Sequence, residues 1–202
     1  MASETSIINR ALRQIGGTRV TSREDGTNVA DDIFDEVRDD LLRSNPWNFA
    51  TKRATLAKSA VAPGFEFDYA FPLPSDWIRT ISVHHNDAGA GVVAHKVEIV
   101  NDQLSIVANT EDCYLVYVFQ QVNPNLMPSD FLSAFTDALA RDMAIAIADS
   151  NVLQGTMADK ADRSLMHARA SDAMSGTPSR RPRGSWTTSR GGAYGSSRDW
   201  PR

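Results

Sequence analysis

The chain has 202 residues, 42% hydrophobic and 23% charged, the balance of an ordinary globular protein with enough length to bury a full core. Its one cysteine, Cys113, excludes an intramolecular disulfide and a thiolate metal cluster, and the most apolar run, residues 143–148, falls far short of the roughly 20 residues that a membrane span needs. The net charge of −4 hides a division: from residue 175 onward six arginines face one acid, a net of +5, which leaves −9 on everything before it.

Taken in order, the chain begins with a polar stretch that lacks the pattern of a signal peptide, so it is expected to be made in the cytoplasm. Ile7, Ile8, Ala11, Leu12 and Ile15 then recur at helical spacing, predicting a helix over about 4–15 that Gly16 and Gly17 end. A second helix is predicted over about 28–44. Val29, Ile33, Val37 and Leu41, with Ala30, Phe34 and Leu42 beside them, form its core-facing stripe. Asp31, Asp32, Asp35, Glu36, Arg38, Asp39 and Asp40 occupy its other face, which reads as a solvated or docking face and not as a pair of catalytic carboxylates. The two helices are expected to pack as a pair across a short link. Pro46 stops the second helix, and Trp47-Asn48-Phe49 turns the chain into an extended run.

A β region is predicted over about 49–120. It begins with a strand at 49–56 and continues through a polyproline-like segment, 69–74, into a strand at 77–84. Candidate strands follow at 96–100, 104–108 and 114–120, with Asn101-Asp102 as a tight hairpin turn between the first two. These strands are expected to form one small central antiparallel sheet. Cys113 sits in an apolar strand and reads as buried. Helical spacing returns over about 129–151, where Phe131, Leu132, Phe135, Ala138, Leu139, Met143, Ala146 and Ile147 share a stripe, and again over about 157–173. Segregated strands and helices predict an α+β body over 1–174, a helical bundle of two N-terminal and two C-terminal helices around the sheet, followed by an extended basic tail over 175–202.

Candidate chemistry is sparse. No phosphate loop, nucleophile elbow or His-Glu-x-x-His stands in the chain. His84, His85 and His95 could be considered as metal ligands, but adjacent residues on a strand point to opposite faces, so His84 and His85 cannot easily share an ion. A muralytic enzyme would need a buried acid in a cleft, and no such pair is legible. The expectation is no catalytic, cofactor or metal residue. In the tail, Arg180, Arg181, Arg183, Arg190 and Arg198 interleave with Trp186, Tyr194 and Trp200. Such a composition buries too little on its own to offset its ordering entropy. It fits either a segment that docks on a protein or a nucleic-acid-binding module that stacks bases on rings.

Three segments carry a resemblance. Ile7-Ile8-Asn9-Arg10-Ala11-Leu12-Arg13-Gln14-Ile15-Gly16, Thr21-Ser22-Arg23-Glu24-Asp25-Gly26-Thr27-Asn28-Val29-Ala30 and Leu41-Leu42-Arg43-Ser44-Asn45-Pro46-Trp47-Asn48-Phe49-Ala50 resemble, in this order, the head-to-tail adaptor family of tailed bacteriophages, most nearly the tail tubular protein A type of short-tailed phages. The phrase Tyr69-Ala70-Phe71-Pro72-Leu73-Pro74-Ser75-Asp76-Trp77-Ile78-Arg79 is similar to the family's central segment. The resemblance spans roughly residues 4–173. It implies a structural virion protein of the phage neck: a homo-oligomeric ring, typically a twelve-fold dodecamer, stacked between the portal protein and the tail nozzle protein. Genomic DNA would pass through its channel without specific binding, and the protein would not meet a membrane. In that picture Arg180, Arg181, Arg183, Trp186, Arg190, Tyr194, Arg198 and Trp200 dock on the portal. Trp47, Phe49 and Trp77 hold the fold, each costing about 3–5 kcal/mol if cut to alanine.

Overall fold

The structure is a computed structural model that describes residues 3–23, 29–89 and 91–176. It is α+β, with four helices and two three-stranded antiparallel sheets. Helix α1, Glu4–Gln14, starts on a capping box. The Ser6 N–H donates to Ser3 Oγ (3.2 Å) and the Ser3 N–H donates to Ser6 Oγ (3.0 Å), so two helix-end donors are satisfied reciprocally. The helix ends through Gly16, whose φ of 75° is the left-handed exit that glycine accepts without strain. Helix α2, Val29–Ser44, carries Asp31 and Asp32 in its first turn and Arg43 in its last, as the helix dipole favours.

Helices α1 and α2 do not form the expected pair. Each packs chiefly on α3, Ser129–Ala148, which runs between them. The reason lies in α3 itself: Ala134, Ala138, Ala140 and Ala144 are all buried, so it presents small residues to more than one neighbour. Its main partner is α4, Asn151–Met174. The predicted boundaries, 151 for the end of one helix and 157 for the start of the next, are corrected to 148 and 151. Asp149 adopts φ 45° and ψ 41°, which breaks the helix, and Ser150 then caps α4 by accepting from the Leu153 N–H (3.2 Å).

Between α2 and α3 the strands divide into two sheets where the sequence suggested one. Strands β1 (Thr51–Leu56), β6 (Cys113–Phe119) and β3 (Trp77–His84) make the first, in the order β1-β6-β3. Strands β2 (Tyr69–Pro72), β5 (Gln103–Ala108) and β4 (His95–Val100) make the second, in the order β2-β5-β4. The division has a packing cause. Phe71, Ile106 and Ala108 from one sheet and Val83, Cys113, Leu115 and Tyr117 from the other close over a shared apolar core that a single sheet could not cover on that face. The segment read as polyproline is therefore a strand, and Pro72 is tolerated because β2 is an edge strand. The β4–β5 hairpin turns at Asn101 and Asp102, both with positive φ (50° and 57°), as expected of a two-residue turn.

A second, larger core lies under the helices. It joins Ile7, Leu12, Phe34, Leu42, Trp47, Phe131 and Phe135 to Ile78 and Val118 of the first sheet. Cys113 is fully buried in the smaller core, and burial pushes its thiol up to about 11 from an ordinary value near 9. An unfolded chain gives up that proton first as pH rises, so the thiol's contribution to stability is complete below pH 9 and is lost as pH climbs through about 11. In native buffer at pH 8, a thiol-specific chromogenic disulfide should therefore label Cys113 at least about a hundredfold more slowly than in denaturant, because access requires opening. Equal rates would contradict this burial.

Candidate docking surfaces

The hinge between helices and strands is built around Trp47, which is only 1% exposed. Its indole Nε1–H donates to the Leu41 carbonyl at 2.8 Å, in the last turn of α2, where the Ser44 hydroxyl donates to the same oxygen (2.7 Å). Its ring meets Phe131 edge-on, with centroids 5.1 Å apart, and Phe49 meets Phe131 at 4.8 Å. The Thr51 hydroxyl donates to the Trp47 carbonyl (2.7 Å), which ties the turn to the first residue of β1. Trp77 stands elsewhere: it is half-buried against the smaller core, its Nε1–H donates to Thr80 Oγ1 (3.1 Å), and the Arg43 guanidinium lies 5.9 Å from its ring centre.

The acidic face of α2 is not uniformly solvated, contrary to the sequence reading. Arg38, assigned to that face, is only 3% exposed and pairs with Asp35 (2.6 Å) and Asp39 (2.8 Å). Arg23 bridges Glu4 of α1 (2.9 Å) to Asp31 (2.6 Å) and Asp35 (2.8 Å) of α2. Burial alone would raise the Asp35 carboxyl, but the hydrogen bond from Arg23 and the charges of Arg38 and Arg23 bring it below the usual carboxylate range. Asp39 also accepts from Gln120 Nε2 (2.7 Å), which joins α2 to the end of β6. Three of the six acids are thus tied to arginines. Asp32 and Glu36, one helical turn apart, are exposed and have no cation among the described residues.

A similar node was invisible in the sequence. Asp76 accepts from Lys52 Nζ (2.7 Å) and from the Tyr117 hydroxyl (3.0 Å). Burial, then the Asp76 hydrogen bond, pushes that phenol up to about 12. On the helical side Asp137, 6% exposed, accepts from Gln14 Nε2 (2.9 Å) and pairs with Lys160 (3.0 Å), so α1, α3 and α4 meet at one buried carboxylate. Both nodes couple elements far apart in the chain, which is a structural role.

Open surfaces remain at three places. Among the described residues, Ile78, Val118 and Phe119 of the first sheet pack against the helical core. Beyond them Arg53, Thr55, Ser82, His84, Tyr114 and Val116 floor a wide depression of ≈ 650 Å³. On the second sheet, Ile99 opposite Leu104 and Val97 opposite Ile106 continue the core face past its cover, leaving Ile99 74% and Leu104 42% exposed beside a groove of ≈ 350 Å³ that includes Leu73, Pro74 and Trp77. A cleft of ≈ 290 Å³ lies along α1, lined by Ser6, Asn9, Arg13, Gly17 and Arg19.

The three candidate histidines, His84, His85 and His95, are engaged separately. His84 Nε2 lies 2.9 Å from Ser82 Oγ, His85 Nε2 lies 3.3 Å from Asn86 Nδ2, and His95 Nδ1 donates to the Val93 carbonyl (2.9 Å). Among the described residues no group of three or more metal-ligating side chains is placed to hold an ion, and no helix is long and apolar enough to cross a membrane. The tail residues Arg180, Arg181, Arg183, Trp186, Arg190, Tyr194, Arg198 and Trp200 lie outside the described residues. No protein-family model matches the chain, and no curated protein matches it.

Proposed function

We propose that this chain is a head-to-tail adaptor of a short-tailed phage, a structural protein of the virion neck and not an enzyme. The observation that carries this reading is the order of elements. Two helices, an abrupt Trp47-Asn48-Phe49 exit into a strand, a compact β region and two closing helices follow one another over residues 4–174, the order the resembling family implies. Support also comes from where the resembling segments lie. Leu41–Ala50 is the hinge on which both halves of the fold meet, and residues 69–79 supply β2 and the start of β3.

In this reading α1, α2 and α4 gather around α3 as a helical bundle, and copies of the body stand side by side as a twelve-fold ring between the portal protein and the tail nozzle protein. A body carrying a net −9 suits a DNA conduit, because like charge lets the genome slide without sticking. The basic tail over 175–202 reaches the portal, with its arginines and its Trp186 and Trp200 as anchors. The protein is made in the host cytoplasm and ends in the particle.

Native mass spectrometry of the full-length protein, alone and with its portal ring, tests the reading. The expected result is a defined multimer, twelve copies on a portal ring. A chain that ignores the portal yet binds single-stranded DNA with a steep salt dependence would replace the adaptor with a nucleic-acid-binding module that uses the Arg and aromatic tail.

A further inference from the structure

The cleft along α1 is a built feature. After Gly16 and Gly17 the chain returns along its own helix, and Asn9 fixes that return: the Val20 N–H donates to Asn9 Oδ1 (2.8 Å) while Asn9 Nδ2 donates to the Val20 carbonyl (2.9 Å). The clamp sets Arg19 across from Arg13 over a space of ≈ 290 Å³ whose remaining walls, Ser6, Asn9 and Gly17, are small and polar. Both arginines are exposed, and neither has a carboxylate partner among the described residues. Two guanidinium groups that line one cleft repel each other and gain when a carboxylate lies between them.

Helix α2 presents the complementary charge. Arg23 and Arg38 neutralise Asp31, Asp35 and Asp39, and the field of Asp40 reaches Arg141. Asp32 and Glu36 are left, at i and i+4 on one exposed line, with a Cβ spacing of about 6 Å. Among the described residues neither forms an ion pair with Arg13 or Arg19 of its own copy. Arg13 lies roughly 14 Å along α1 from Glu4, which Arg23 holds to the first turn of α2.

The geometry points to a head-to-tail contact between copies of this chain, in which the Arg13 and Arg19 cleft of one copy takes the Asp32 and Glu36 carboxylates of the next. This rests on the ring reading and deepens it by naming the charged surfaces that face each other. Because the cleft and its target are different surfaces, every copy has one of each to offer, which is the condition for a ring that closes by rotation. Pairs so exposed are screened, so the contact weakens as salt rises from 50 to 500 mM.

Charge reversal separates the possibilities. One full-length variant carries Arg13→Glu with Arg19→Glu, and another carries Asp32→Arg with Glu36→Arg. All four positions are exposed, so circular dichroism should show both variants folded. Assembly is followed by native mass spectrometry against protein concentration at 50 mM salt. The wild type should assemble, and each variant alone should need at least tenfold more protein. An equimolar mixture of the two should assemble as the wild type does, within about twofold, because each opposed pair of surfaces is again of opposite charge. Masses in the mixture should correspond to even, alternating assemblies. Folded variants that assemble like the wild type, or a mixture that stays dissociated, would overturn the contact and leave the ring reading standing. A wild type that never assembles, with or without the portal, removes both. If reversing the cleft weakens binding of a fluorescent single-stranded oligonucleotide and leaves assembly unchanged, the cleft takes phosphate and the contact falls.

Discussion

Replacing Trp47 with alanine should lower the stability of the chain by about 3–5 kcal/mol, the loss typical of a fully buried aromatic side chain. Three terms act in the same direction. The ring contacts with Phe131 and Phe49 disappear, a cavity opens between the end of α2 and the start of α3, and the Leu41 carbonyl loses the indole donor, keeping only the Ser44 hydroxyl (2.7 Å). At about 2–4 °C per kcal/mol for a chain of this size, the melting temperature should fall by roughly 6–20 °C. Trp47→Phe separates the terms: it keeps most of the apolar volume and loses the donor, so about 1–2 kcal/mol should go. Urea unfolding with tyrosine fluorescence or circular dichroism measures both. A Trp47→Ala chain within 1.5 kcal/mol of the wild type would mean that the hinge relaxes around the hole and that the two halves of the fold do not depend on it.

Trp77 sets the contrast that makes this expectation specific. The same residue type, read from sequence with the same weight, sits half-buried at the rim of the smaller core and shares its ring with the Arg43 guanidinium. Its removal deletes less buried surface and leaves less of a cavity, so the expected cost is smaller than at Trp47. Sequence alone ranks both as large aromatic residues; burial depth separates them.

What was legible was what local periodicity determines. Of the stripe read on α2, Ala30, Phe34, Val37, Leu41 and Leu42 do face the core and Ile33 is half-buried against it, while the side chain of Val29 lies outside the described residues; Asn101-Asp102 does turn the hairpin. Long-range pairing was not legible. Strand β1 pairs with β6, some sixty residues away, while β2 pairs with β5, and nothing in an alternating pattern says which of several strands is the neighbour. Arg38 shows a second limit. Its side chain looked like one more charge on a polar face, yet two carboxylates let it be buried, and the helix periodicity carries no signal for such compensation. The break between the two closing helices was placed too late, at 151–157, because the single left-handed residue Asp149 is neither proline nor glycine and leaves no mark in the sequence. On the surfaces, Arg13, Arg19, Asp32 and Glu36, which have no ion-pair partner among the described residues, became visible only after the ion pairs had claimed their neighbours.

Ending the chain at residue 176 should separate folding from docking. Among the described residues both cores close within residues 7–168, and near that cut the Ser175 N–H donates to the Asp172 carbonyl (3.0 Å) and the Asn48 N–H donates to the Asp172 carboxylate (3.0 Å). Removing residues 177–202 therefore keeps every described residue of both cores, and the melting temperature should stay within about 2 °C of the full chain. The charge changes much more. Six arginines and one acid leave together with Trp186, Tyr194 and Trp200, so the truncated chain carries a net −9. If the tail is the portal anchor, affinity for the portal ring should fall at least about a hundredfold, close to 3 kcal/mol, because arginine and tryptophan anchors dominate binding where they occur. Surface plasmon resonance on immobilised portal at several salt concentrations reads the loss directly. Unchanged affinity with an intact melting temperature would place the portal contact on the folded body instead, where the bare hairpin residues Ile99 and Leu104 would be the first surface to mutate. An unfolded truncation would instead show that residues 177–202 hold the body together, and the tail would then be part of the fold and not an arm for docking.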